Sequence, residues 1–120
     1  MADKPLHIYL IAGEASGDLL GGKLMAALKR QHSKLTFSGV GGAKMAAQGL
    51  ESLFDFRELS LMGFAEVLPH IRRLKQRMQQ VHDDILDRQP DIILTIDSPG
   101  FNFRLVKKLS GLRWIRSNEI

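Results

Sequence analysis

Cysteine is absent from this sequence of 120 residues, which rules out both a disulfide framework and a thiolate metal site. Histidine is sparse, and His7, His32, His70 and His82 are scattered without the spacing of metal ligands, so no metal site is expected. Long apolar runs are also missing. No stretch approaches the roughly 18 residues that a membrane-spanning helix needs. The opening MADKPLHIYLIAG sets an acid beside its lysine, and its apolar run is too short for a signal peptide. A cytoplasmic protein is expected. Charge of one sign is not abundant either. The formal net charge is +4, so where the cations sit matters more than their sum.

What is present is an ordinary globular composition, 44% hydrophobic and 25% charged, in a chain long enough to bury one core. Residues 6–12 (LHIYLIA) are β-branched and aromatic-rich and end at Gly13, which predicts a buried strand. Residues 18–31 carry Leu20, Leu24, Ala27 and Leu28 at helical spacing, with Lys29 and Arg30 near the end, where the helix dipole favours cations. LTFSGV, residues 35–40, predicts a second strand, followed by a short AKMAAQ helix that stops at Gly49. SLFDF, residues 52–56, reads as a third strand. A helical region over about 61–89 is interrupted or restarted at Pro69. DIILTID, residues 91–97, is the clearest buried strand, and 101–109 begin another helix. This alternation with short connections implies an α/β, Rossmann-like parallel sheet with helices on both faces.

A sheet of that kind places binding chemistry in the loops that leave the carboxyl ends of its strands. Three of those loops are unusual: GEASGD (13–18), GVGG (39–42) and DSPGFN (97–102). Phosphate signatures fail in them. GDLLGGKL, residues 17–24, follows the Walker spacing through Lys23 but ends in Leu24, which lacks the metal-binding hydroxyl, and it starts several residues late. GVGGAK ends in lysine and GEASGD has the wrong spacing for a dinucleotide fingerprint. Gly13 and Gly17 are compatible with a tight turn that Ser16 or Asp18 caps. One cap needs one oxygen, however, and Glu14, Ser16 and Asp18 offer three side chains. Asp97, at the mouth of an apolar strand before Ser98, Pro99 and Gly100, suits proton abstraction if desolvation raises its pKa. On spacing alone it is equally a turn residue that accepts loop amides.

AGEASGDLLG after the first strand, GVGGAKM after the second, then ELSLMGFAEVLPHI and DSPGFN, taken in order, resemble the amino-terminal half of the lipid-A-disaccharide synthases. These are inverting glycosyltransferases built from two Rossmann domains, and the resemblance covers about residues 6–110. It implies transfer of diacylglucosamine from its UDP derivative to diacylglucosamine 1-phosphate, giving a β-1,6-linked disaccharide phosphate and UDP, with no metal or redox cofactor. By the same resemblance Asp97 is the catalytic base, while Gly13, Glu14, Ser16, Gly17, Asp18 and Asn102 line the acceptor side. Residues 1–110 would form the acceptor-side domain and 111–120 an atypical tail. By the resemblance, the family's donor-binding second domain is expected to be absent, and the chain alone is expected to have negligible transferase activity.

Phe64, Val67, Leu68, Ile71, Leu74 and Met78 draw an apolar stripe flanked by Arg72, Arg73, Lys75 and Arg77, with Asp83, Asp84 and Asp87 later. This order is the reverse of what the helix dipole favours. The stripe fits either packing on the sheet or, given acylated substrates, peripheral contact with the inner-membrane surface through Phe64, Val67, Leu68, Ile71, Arg72, Arg73 and Leu74. The alternative reading of the whole chain is a non-catalytic Rossmann-like module binding a nucleotide or a protein partner. Nucleic acid is not an expected partner, because the cations cluster beside apolar residues and no nucleic-acid motif is present.

Overall fold

Leu6–Ala12 form strand β1, and Tyr9, Leu10, Ile11 and Ala12 are all completely buried, as a strand covered on both faces must be. The structure, a computed structural model, describes residues 4–60, 68–96, 105, 107 and 116–119. After β1 come α1 (Ala15–Gln31), β2 (Leu35–Val40), α2 (Ala43–Ala46), α3 (Arg57–Ser60), α4 (Leu68–Arg88), β3 (Ile92–Ile96) and β4 (Arg116–Glu119). The sheet order is β2-β1-β3-β4, and every pairing is parallel. β1 sits centrally, with Ile8 opposite both Phe37 and Ile92. Leu105 and Lys107 are helical. β4 lies within the stretch expected to be a tail, yet it adds to the sheet beside β3.

The period of two along the strands divides the core. Ile8, Leu10 and Ala12 cluster with Met25 of α1, Met45 of α2, Leu50 and Ile96. Tyr9 and Ile11 point the other way and cluster with Val40, Leu59, Val81, Ile85, Ile93 and Leu105. Helices therefore cover both faces, as the alternating pattern predicts.

Two expectations need correction. SLFDF is not a strand. Ser52 makes a single β-bridge to Gly39, and the Ser52 hydroxyl then turns back to donate to the Phe54 carbonyl at 2.6 Å. Leu53, Phe54 and Phe56 all pack against one cluster, where an extended strand would send alternate side chains to opposite faces. Asp55 Oδ1 accepts the Arg57 amide at 3.0 Å, which turns the chain into α3. On α1, the buried positions are Gly17, Asp18, Gly21, Gly22 and Met25, whereas Leu20 is 44% exposed. Apolar periodicity misses this face because its contacts are made by backbone. A Cβ on Gly22 would lie 3.0 Å from the Lys44 carbonyl oxygen, so α1 and α2 meet closely there.

α4 is fastened to the other face by polar groups as well as by Leu74, Val81 and Ile85. The buried Tyr9 hydroxyl donates to Asp84 at 2.8 Å. Burial first and this bond second push the Tyr9 pKa up. Arg88 donates to Asp84 at 2.9 Å and to the Ser38 hydroxyl at 3.1 Å, and Ser38 shares a 2.7 Å hydrogen bond with His7. Burial, followed by the Arg88 charge, pushes the His7 pKa down.

Gly39 and Gly49 both have positive φ, +132° and +107°, but they differ in space. A Cβ on Gly39 would fall 1.8 Å from the Leu10 carbonyl oxygen on the neighbouring strand, whereas nothing lies within 4 Å of one on Gly49. Gly49 closes α2, with its amide bonded to the Ala46 carbonyl and that of Leu50 to Met45. Urea denaturation is expected to show Gly39→Ala costing more than about 3 kcal/mol and Gly49→Ala about 1 kcal/mol. Equal costs would mean that β2 does not approach β1 as described.

Candidate functional site at the carboxyl edge of the sheet

The turn after β1 is shorter than the sequence pattern suggests. Gly13 is buried and Glu14 is extended at φ −141°, ψ 161°. Helix α1 begins at Ala15, so Ser16, Gly17 and Asp18 lie in its first turn. Residues 17–24 are helical throughout, and a helix cannot wrap phosphate as a Walker loop does. The phosphate reading fails on geometry as well as on spacing.

Glu14 and Ser16 are exposed at the start of α1. Glu14 makes no side-chain cap to the helix, although its carbonyl accepts the Asp18 amide at 2.9 Å. Asp18 behaves differently. It is 6% exposed, and its Oδ1 accepts the amides of Gly42 at 2.8 Å and Met45 at 3.0 Å. Its Oδ2 accepts the Lys44 amide at 3.0 Å. The cap that the sequence suggests is therefore real, but Asp18 caps the start of α2, not its own helix. That occupation makes Asp18 a residue that positions the edge. A side chain at position 42 would collide with it, since a Cβ there would lie 2.7 Å from Oδ2.

Ser52, which the sequence pattern did not single out, completes the second turn by accepting the Gly41 amide at 3.1 Å. The turns after β1 and β2 are thus joined. β3 approaches the same edge, its last described residue Ile96 paired with Ala12. Asp97 and Asn102 lie outside the described residues, as does the DSPGFN segment that contains them. Among the described residues, no three His, Asp or Glu side chains come together in a way that could hold a metal ion.

The basic helix is more tightly engaged than its pattern implies. Phe64 and Val67 lie outside the described residues, while Leu68 and Ile71 belong to α4. Leu74 is only 4% exposed, so it is a core residue and not a membrane contact. Arg73 and Arg77 both pair with Glu58 of α3, Arg77 at 2.6 Å, and Arg77 stacks 4.8 Å above the Phe54 ring. Glu58 thus accounts for two of the cations whose order opposes the helix dipole. Arg72 and Lys75 are exposed. Among the described residues no helix is long and apolar enough to cross a membrane.

The fold and this edge define a class, a parallel α/β sheet whose first two strand-to-helix turns are bonded into a common rim. A sequence profile of the lipid-A-disaccharide synthetase family matches residues 8–115, and the chain belongs to that family. It is 50% identical over 108 residues to a lipid-A-disaccharide synthase of Gluconobacter oxydans (strain 621H), covering 88% of this chain and 26% of the relative. It is 56% identical over 99 residues to one of Paramagnetospirillum magneticum (strain ATCC 700264 / AMB-1), covering 82% and 25%. A Myxococcus xanthus (strain DK1622) synthase is 49% identical over 108 residues, covering 90% and 28%. The chain spans about a quarter of the length of these curated relatives.

Two neighbouring carboxylates should separate cleanly in stability. Asp18→Ala strips three backbone amides of their acceptor and is expected to cost at least about 2 kcal/mol, whereas Glu14→Ala should stay within about 0.5 kcal/mol of the parent. Chemical denaturation followed by circular dichroism distinguishes them. A neutral Asp18→Ala would remove its assigned role.

Proposed function

We propose that this chain is the acceptor-side part of a lipid-A-disaccharide synthase, with a second, donor-binding domain supplying the rest of the cleft. The reaction is transfer of 2,3-diacylglucosamine from its UDP derivative to the 6-hydroxyl of 2,3-diacylglucosamine 1-phosphate. Asp97 takes the hydroxyl proton as the oxygen bonds to the anomeric carbon. The bond from that carbon to the diphosphate breaks with inversion, and UDP departs with its electron pair. Gly13, Glu14, Ser16, Gly17, Asp18 and Asn102 line the acceptor side, and Asp18 also holds the rim at the start of α1 and α2. The observation that carries the reading is the family match across residues 8–115. The bonded rim supports it, since a parallel sheet binds ligands at that edge.

The acylated substrates require access to a bilayer. The protein is proposed to act on the cytoplasmic side of the inner membrane, bound peripherally through Phe64, Val67, Leu68, Ile71 and the exposed Arg72. Arg73 contributes only what charge Glu58 leaves uncompensated. Each cation near anionic lipid adds about 1 kcal/mol.

The catalytic proposal is tested by a chimera in which residues 8–115 replace the matched segment of the Gluconobacter oxydans relative. The chimera is expected to turn over both substrates, and Asp97→Asn should lower kcat about 10²–10⁴-fold. A folded but inactive chimera, or an undiminished Asp97→Asn, would contradict the proposal. For the membrane surface, sedimentation with phosphatidylglycerol vesicles should show binding that Leu68→Glu with Arg72→Glu abolishes. Undiminished binding by that double variant would rule out the surface assigned.

A further inference from the structure

The sheet face opposite α4 carries a groove that the transferase reading does not use. Leu19, Gly22, Lys23 and Ala26 of α1 line one side, Lys44, Ala47 and Gln48 the other, around a space of about 220 Å³. The groove exists because Gly22 lets the Lys44 backbone come close. Its floor is aliphatic, and Leu19 beside it is 47% exposed. Its charged lining residues are Lys23 and Lys44, both exposed, and among the described residues no carboxylate lines it. Lys29 Nζ donates to the Gln48 carbonyl at 3.3 Å and to its side-chain oxygen at 3.4 Å, which fixes the far end.

Charge on this side is predominantly basic. Residues 14–48 contain five cations (Lys23, Lys29, Arg30, Lys34 and Lys44) and two carboxylates: Glu14, exposed at the start of α1, and Asp18, which is buried and held by backbone amides. Two lysines over an aliphatic floor complement a molecule with an anionic head and an apolar tail. The space is of the order of the apolar cavities that take up a small hydrocarbon, about 150 Å³, which suits part of one alkyl chain. A peptide backbone laid on that floor would lose its hydrogen bonds to water without finding replacements.

We propose that the α1–α2 groove binds a single anionic amphiphile, its tail against Leu19, Ala26 and Ala47 and its acidic head between Lys23 and Lys44. The site adjoins the carboxyl-edge rim at Lys44, whose amide Asp18 holds, but it uses none of the residues assigned to catalysis or the acceptor side, so its failure would leave the transferase reading intact.

The probe is decyl phosphate, kept below its micellar concentration and titrated into the ¹⁵N-labelled chain, with calorimetry alongside. Saturable 1:1 binding is expected, with amide shifts concentrated at residues 19–26 and 44–48. Neutral decyl maltoside, and the Lys23→Glu/Lys44→Glu variant with decyl phosphate, should each bind at least about tenfold more weakly. Ala26→Trp, which fills the groove from a half-buried position on α1, should abolish binding while the circular dichroism spectrum is retained. The proposal is overturned by equal affinity for decyltrimethylammonium, by an unaffected double-lysine variant, or by shifts that map elsewhere. Binding to phosphatidylglycerol vesicles without binding to decyl phosphate would also overturn it, in favour of a membrane surface.

Discussion

The Asp18 carboxylate accepts the amide protons of Gly42, Lys44 and Met45, and through those bonds the turns after β1 and β2 become one body. Several sequence features follow from this arrangement. Position 42 must be glycine to leave room for the carboxylate, and position 22 must be small for α2 to come within reach. A four-residue helix has little stability of its own. α2 persists because its first amides have an anionic acceptor and Met45 is buried in the core.

The opposite face is held by a different device. Tyr9, Asp84, Arg88, Ser38 and His7 form a chain of hydrogen bonds between β1, β2 and α4, and Glu58 ties α3 to α4 through Arg73 and Arg77. α4 is therefore anchored from Leu74 onward. The two faces also differ in charge. Cations on the α4 side are partly neutralised by Glu58 and Asp84, whereas on the α1–α2 side Asp18 is turned inward onto backbone amides.

The parts of this architecture that were legible in the sequence are those set by apolar patterning. The bounds of β1 and β2 follow from their β-branched runs and closing glycines, and the sheet's parallel character follows from strand–helix alternation. What was hidden depends on contacts without apolar periodicity. The buried face of α1 is glycine and backbone. Three neighbouring aromatic and aliphatic residues in SLFDF look like a strand, although a serine hydroxyl and an aspartate turn break the extension. Asp18 was legible as a cap but not as the cap of a helix some twenty-five residues on, because its partners are amides, which every residue carries. Glu58 and Asp84 stand among many charges, and nothing in their spacing marks them as anchors.

Membership of the lipid-A-disaccharide synthetase family gives this edge its meaning, since the motifs GEASGD and GVGG that carry the resemblance are the segments Asp18 joins. The most direct test is native-state amide hydrogen exchange by NMR at Gly42, Lys44 and Met45. The account predicts that these three amides exchange slowly and together in the parent chain, and that Asp18→Asn accelerates them as a set while Ile85 and Val81 in α4 remain protected. Rapid exchange of the three in the parent, or no change on substitution, would contradict the claim that one carboxylate holds the rim.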